Sequence, residues 1–222
     1  MKKILNNERG NIAIFVLGLL IINMVLFVFV LNLGSVFATK EKSASIAQQA
    51  SMVATSVFYE EVRNAIDEYE EETLEGALHA FFEDFEEKVS NRKEHLETSG
   101  GYVGWSLREI EIEAFDQVLN EELNSSDYRV ELEGFLESRV DKQKVIRSIK
   151  RTIQKNDGLL EDAQLEIKNN RFHVKASKEF TATTYSNIIE NFQDNVYQNS
   201  SGPKIDFLED IWGNPKTINL EE

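Results

Sequence analysis

The sequence predicts an α+β protein in which an N-terminal transmembrane helix continues into a long helix, followed by a helical layer and a small antiparallel β-hairpin. Three observations carry this expectation. An uncharged apolar run extends from Ile12 to Leu33, apolar residues then recur at helical spacing, and strict alternation begins only near Leu165. The implied organisation is a cytoplasmic N-terminus over 1–11, a membrane helix over 12–33, a long stalk helix or helix pair over 34–98, a helical region over 99–156, and a hairpin with the C-terminal region over 157–222.

At about 1.5 Å per residue the run from Ile12 to Leu33 reaches about 33 Å, enough to cross a hydrocarbon core. Lipid offers no partner to an open backbone amide, so such a segment must be helical. Asn23 falls near its middle, where its amide is either available to a neighbouring helix or tolerated as a lone polar group, and Asn32 falls at the interface. Gly18 and Gly34 are close-approach points or lipid-facing glycines. Lys2, Lys3 and Arg9 precede the segment against Glu8, while the charges of Lys40, Glu41 and Lys42 partly cancel after it. This bias puts the N-terminus in the cytoplasm and the remainder outside.

Two processing sites compete with an uncleaved anchor. Val36-Phe37-Ala38 offers small residues to a signal peptidase, and cleavage after Ala38 would release the domain. The apolar run is longer than a signal-peptide core of about 7 to 15 residues, which favours retention. Arg9-Gly10 is similar to a type IV prepilin junction, but Phe15 stands where that junction expects Glu.

Among the 222 residues the net charge is -15 and there is no cysteine. An acidic chain repels nucleic-acid phosphates, so no nucleic-acid partner is expected. Without cysteine there is no disulfide, no thiolate metal site and no acylated lipoprotein anchor. No phosphate-binding glycine loop or nucleophile elbow occurs. Glu75, His79 and Glu83 fall four apart on one helical face, a metal-compatible spacing that an acid-rich helix also produces by chance. His95 reads as a surface residue and His173 as the outward side of the hairpin. The expectation is no enzyme, no metal and no cofactor.

Past Gly34, Ile46, Ala50, Val53 and Val57 mark a helical face, continued through Phe58, Val62, Ile66 and Tyr69 and then Leu74 to Val89. Whether Thr73 to Gly76 breaks this helix stays open. Either way it reads as a stalk lifting the domain from the lipid. Ser99-Gly100-Gly101 marks a turn and a subdomain boundary. Leu107 to Leu119 forms an amphipathic helix, Asn124 to Asp127 stops it and caps the next, and apolar residues from Leu132 to Ile153 supply further helical faces up to Asp157-Gly158. Leu165 and Ile167, then Phe172, Val174 and Ala176, alternate around Asn169-Asn170, which reads as a hairpin whose second strand extends through Phe180, Ala182 and Thr184. Its edge is either covered or open to another subunit. The C-terminal stretch has anchors in Phe207, Leu208, Ile211 and Trp212, and its last residues are expected to fray.

Charge is segregated. Acids crowd Glu60 to Glu87 with Arg63 as the one cation, whereas Arg139, Lys142, Lys144, Arg147, Lys150, Arg151 and Lys155 gather around the single acid Asp141. The two sets either pair within one subunit, dock one subunit on the next, or are merely solvated faces; anionic lipid or wall polymer is another target for the basic set.

The order of Glu8-Arg9-Gly10-Asn11, the apolar helix, Asn32-Leu33-Gly34, Lys40-Glu41-Lys42 and the small-residue run from Ala47 to Ala54 resembles the N-terminal module of TadE/TadG-like proteins of the Flp (tight-adherence) pilus-assembly system. In that family an Arg-Gly pair precedes the membrane helix, which ends in an Asp-x-Gly-like step and leads into an Ala-rich helix. Here Asn32 stands where Asp is common, and Gln48 and Gln49 replace an acidic residue. The resemblance is confined to the N-terminal part of the chain, and the metal-binding Asp-x-Ser-x-Ser motif of some larger members does not occur. It implies a pilin-like architecture and a membrane-anchored minor pilin or pilus-assembly component. The partners implied are membrane lipid and other pilus or secretion-system subunits, or further copies of the chain. The alternative expectation is an anchored cell-surface binding or sensor module outside any filament.

Overall fold

The protein is described by a computed structural model over residues 8–72, 79–125, 129–182, 193–214 and 216–221. Helix α1 spans Glu8–Glu72 and α2 spans His79–Thr98. A short 3-10 turn at Gly100–Tyr102 leads to α3 (Leu107–Ser125), α4 (Arg129–Arg139) and α5 (Lys142–Lys155). Strands β1 (Leu159–Lys168), β2 (Arg171–Thr181) and β3 (Gln193–Ser201) follow, then α6 (Leu208–Trp212) and β4 (Thr217–Asn219). The architecture is α+β, as the sequence predicts.

Helix α1 has two halves with different surroundings. From Ile12 to Lys42 no residue is buried, and from Ser43 onward one face is packed into the domain. The buried face runs through Ile46, Ala50, Ala54, Phe58 and Val62, so Val53 and Val57, which the sequence puts on one helical face with Ile46 and Ala50, sit at its margin. Small residues at Ala47, Ala50, Ser51 and Ala54 let strands and α5 come close to the helix axis. The stalk expected over 34–98 is therefore short. From Ser43 its α1 part is a core helix of the domain, because an apolar stripe of that length must find a cover in water, and its α2 part is a separate helix packed on α3.

Each connection has a local cause. Ser106 and Glu109 form a capping box at the start of α3: the Ser106 N–H donates to the Glu109 carboxylate at 2.7 Å and the Glu109 N–H donates to Ser106 Oγ at 3.3 Å. Asp141 caps α5, its Oδ1 accepting the Lys144 N–H at 2.9 Å. At the other end Asp157 turns left-handed (φ 57) and the Gly158 N–H closes on the Ile153 carbonyl at 2.9 Å, which ends α5 where the sequence placed a stop. The expected turn at Gly100-Gly101 folds α3 back on α2, and one hydrophobic core continues across it, from Phe85 and Leu96 to Ile110 and Leu119.

The expected hairpin is present as β1 and β2, with Asn169 (φ 53) and Asn170 (φ 55) both in the left-handed turn conformation and Lys168 opposite Arg171. It is the centre of a larger sheet, antiparallel throughout and ordered β3-β2-β1-β4. The hairpin's edges are thus paired from within the chain, β2 from His173 to Thr181 and β1 around Gln164 to Glu166. The C-terminus does not fray at Leu220, which is fully buried and donates its N–H to the Ala163 carbonyl at 2.9 Å. Leu165, Ile167, Phe172, Val174, Ala176 and Phe180 all face the core as the alternation predicts, and Thr184 lies outside the described residues. Between sheet and α1 the ring of Phe58 meets Phe172 at 5.6 Å, Phe207 at 6.0 Å and Trp212 at 6.3 Å between centroids.

Candidate membrane anchor and assembly surfaces

The first candidate surface is the outer half of α1. It is long and apolar enough to cross a membrane, and none of that apolar window is buried by the rest of the chain. Side chains such as Phe15, Ile22 and Phe29 stand exposed along it. In water so large an apolar surface is unfavourable by roughly 25 cal/mol per Å², and a lipid or protein environment removes that cost.

Gly10 falls within α1 near its N-terminal end. Asn23 turns back on its own helix, Nδ2 donating one N–H to the Leu19 carbonyl at 2.9 Å. Asn32 is partly covered near the end of the exposed run. Beyond the helix's own backbone and the adjoining residues, no described atom lies within 4 Å of the Cβ position of Gly18 or Gly34, so no other described part of the chain packs on either glycine.

The second candidate is the basic cluster, which the structure distributes over two helices. Arg139 ends α4 with its guanidinium 5.8 Å from the Phe135 ring centroid. Lys142 Nζ lies 3.6 Å from Glu137, and Arg147 bonds Asp141 at 3.0 Å. Lys144 reaches across to α1, meeting Glu60 at 3.0 Å and Glu61 at 2.7 Å. Its ammonium is held above the usual lysine range by the Glu61 bond first and the Glu60 bond second. The expected pairing of basic and acidic sets thus occurs within one subunit at this point. Lys150, Arg151 and Lys155 make no ion pair among the described residues. The buried face of α5, carrying Val145, Ile149 and Ile153, turns its cations outward.

The triplet Glu75, His79 and Glu83 lies outside the described side chains, and no group of metal-competent residues gathers among the described ones. His95 is exposed on α2, as expected; His173 is partly covered, with Nε2 3.2 Å from the Lys168 carbonyl.

Two features escaped the sequence reading. Tyr59 on α1 and Asp116 on α3 form a buried hydrogen bond at 2.6 Å, invisible in a sequence where the two are far apart. The turn between α2 and α3 exposes Val103, Trp105 and Leu107, with the Trp105 ring edge-on to Tyr102 at 5.0 Å. The run Tyr102-Val103-Gly104-Trp105 after two glycines was the available signal: apolar residues in a turn have no helical face to bury them. Comparison with family models, curated proteins and solved structures finds no match to this chain.

Proposed function

We propose that the chain is a membrane-anchored minor pilin or pilus-assembly component, acting through protein–protein contacts outside the membrane. The observation that carries this reading is the continuity of α1: one helix has no buried residue over its apolar half and packs into the core of a folded domain over the other. A helix of that design transmits the position of the anchor to the domain without a flexible joint. The antiparallel sheet laid over the inner half supports the pilin-like comparison made from the sequence, and the Lys and Arg residues before the apolar run support an inward N-terminus.

The test is co-purification and shear. An assembly component co-purifies from detergent-solubilised membranes with other subunits of a pilus or secretion apparatus, and a filament subunit is shed by shearing intact cells. A chain that stays on sheared cells and elutes as a lone monomer contradicts the proposal. That outcome would favour the second reading, an anchored cell-surface binding or sensor module, for which the exposed Val103, Trp105 and Leu107 are the supporting observation.

A further inference from the structure

Helix α2 carries Glu86, Glu87, Glu94 and Glu97 on one face. At 100° per residue they fall within an arc of about 100° and along about 16 Å of helix. All four are exposed, with no ion pair among the described residues. Helix α5 carries Lys144, Arg147, Arg151 and Lys155 within an arc of about 80° over about the same length, opposite its buried face. Arg151 and Lys155 have no acidic partner among the described residues. The two faces match in length and oppose in sign, and within the chain no described ion pair joins them.

They also share a level along α1 at one point each. Lys144 meets α1 at Glu60 and Glu61. Arg92 of α2 bonds Gln117 of α3 at 2.9 Å, and the adjacent Asp116 bonds Tyr59 of α1 at 2.6 Å. The Lys144 end of the basic face and the Arg92 level of the acidic one therefore both lie near Tyr59 to Glu61 along α1, and the basic face runs on toward Ile46, which meets Gly158 just past α5. Copies anchored by the same helix in one bilayer would present the middle of one acidic face at the level where the next copy's basic face begins.

We propose that the α5 face docks on the α2 face of a second copy of this chain. The contact is heterologous, leaving an unused acidic face at one end and an unused basic face at the other, so it repeats. The net charge of -15 disfavours random encounter between copies, and a contact that sets cations against acids selects one orientation. The inference rests on the anchored-assembly reading and names its contact.

The chain lacks cysteine, so an introduced pair reports the contact cleanly. Ser90 lies within the acidic arc and Gln154 beside the basic one, and both are exposed. Full-length Ser90→Cys/Gln154→Cys chain, reconstituted in vesicles of neutral lipid with or without anionic phospholipid and oxidised, should give a ladder of covalent oligomers. Either single variant should give none. Arg147→Glu, Arg151→Glu and Lys155→Glu together should cut the ladder about tenfold, and adding Glu86→Lys, Glu87→Lys and Glu97→Lys should restore it to within about twofold. Restoration by the second reversal is the supporting result, because a misfolded ridge would not be rescued by charges on another helix. A chain that floats with the vesicles and forms no ladder overturns the docking and leaves the anchored reading standing. The same outcome with a label at Gln154→Cys quenched by anionic headgroups alone assigns the ridge to lipid. A chain that does not float overturns both readings.

Discussion

Tyr59 of α1 donates its hydroxyl to Oδ1 of Asp116 on α3 at 2.6 Å, within the seam between the two helices. Both side chains are buried there. Burial raises the Tyr59 phenol above its ordinary range, reinforced by the Asp116 charge. Burial also pushes the Asp116 carboxyl up to about 6, opposed by the Tyr59 bond and helped by the charge of Asp206.

Stability should therefore depend on pH in a defined window. Asp116 binds its proton more tightly in the folded chain, so folding gains as pH falls from about 7 toward 4, and the gain is lost again as pH rises through about 6. At about 1.4 kcal/mol per pKa unit the effect is on the order of 2 to 3 kcal/mol. Asp116→Asn should flatten this part of the profile when unfolding of the full chain in detergent is followed across the range. An unchanged profile would remove Asp116 from the account. Tyr59 contributes at the other end, with stability present below the ordinary phenol range and lost as pH rises above it.

Gly202 follows β3 where the chain lies against α1, and an added Cβ there would lie 2.6 Å from Thr55 Oγ1 and 2.9 Å from the Ser51 carbonyl oxygen. The carbonyl belongs to the helix backbone and cannot swing away. Gly202→Ala should cost about 1 to 3 kcal/mol in chemical denaturation. Adding Thr55→Ala should recover only part of that loss.

Asp141 separates α4 from α5 through its bond to the Lys144 N–H at 2.9 Å. Asp141→Ala should cost about 0.5 to 2 kcal/mol, and Asp141→Asn less. The Lys144 N–H chiefly, then Arg147, holds the Asp141 carboxyl below the usual carboxylate range. That contribution is present at neutral pH and is lost as acidification protonates the group.

What the sequence disclosed follows from how local each signal is. The uncovered apolar run, the hairpin around Asn169-Asn170 and the stop at Asp157-Gly158 are written in neighbouring residues and could be read directly. Strand β3 could not: Gln193 to Ser201 holds just Val196 and Tyr197 as large apolar residues, and it is a strand because β2 supplies its ladder, from His173 opposite Ser201 to Thr181 opposite Gln193. Strand β4 has three residues, too few for any periodicity. The change of α1 from uncovered rod to core helix at Ser43 shows in the sequence as Ala and Ser spacing, which reads equally well as a stalk until the sheet that covers it is known. For the candidate surfaces, the basic set was legible as a cluster, but the Lys144 contact with Glu60 and Glu61 depends on α5 lying along α1.

Fractionation of the mature chain tests the central claim most directly. After alkaline washing of membranes, the washed pellet should contain a chain whose measured mass still includes residues 12–33, whether or not it has been trimmed after Gly10. A chain beginning at Thr39 and recovered in the supernatant would show that the apolar half of α1 is discarded, and would contradict anchored assembly.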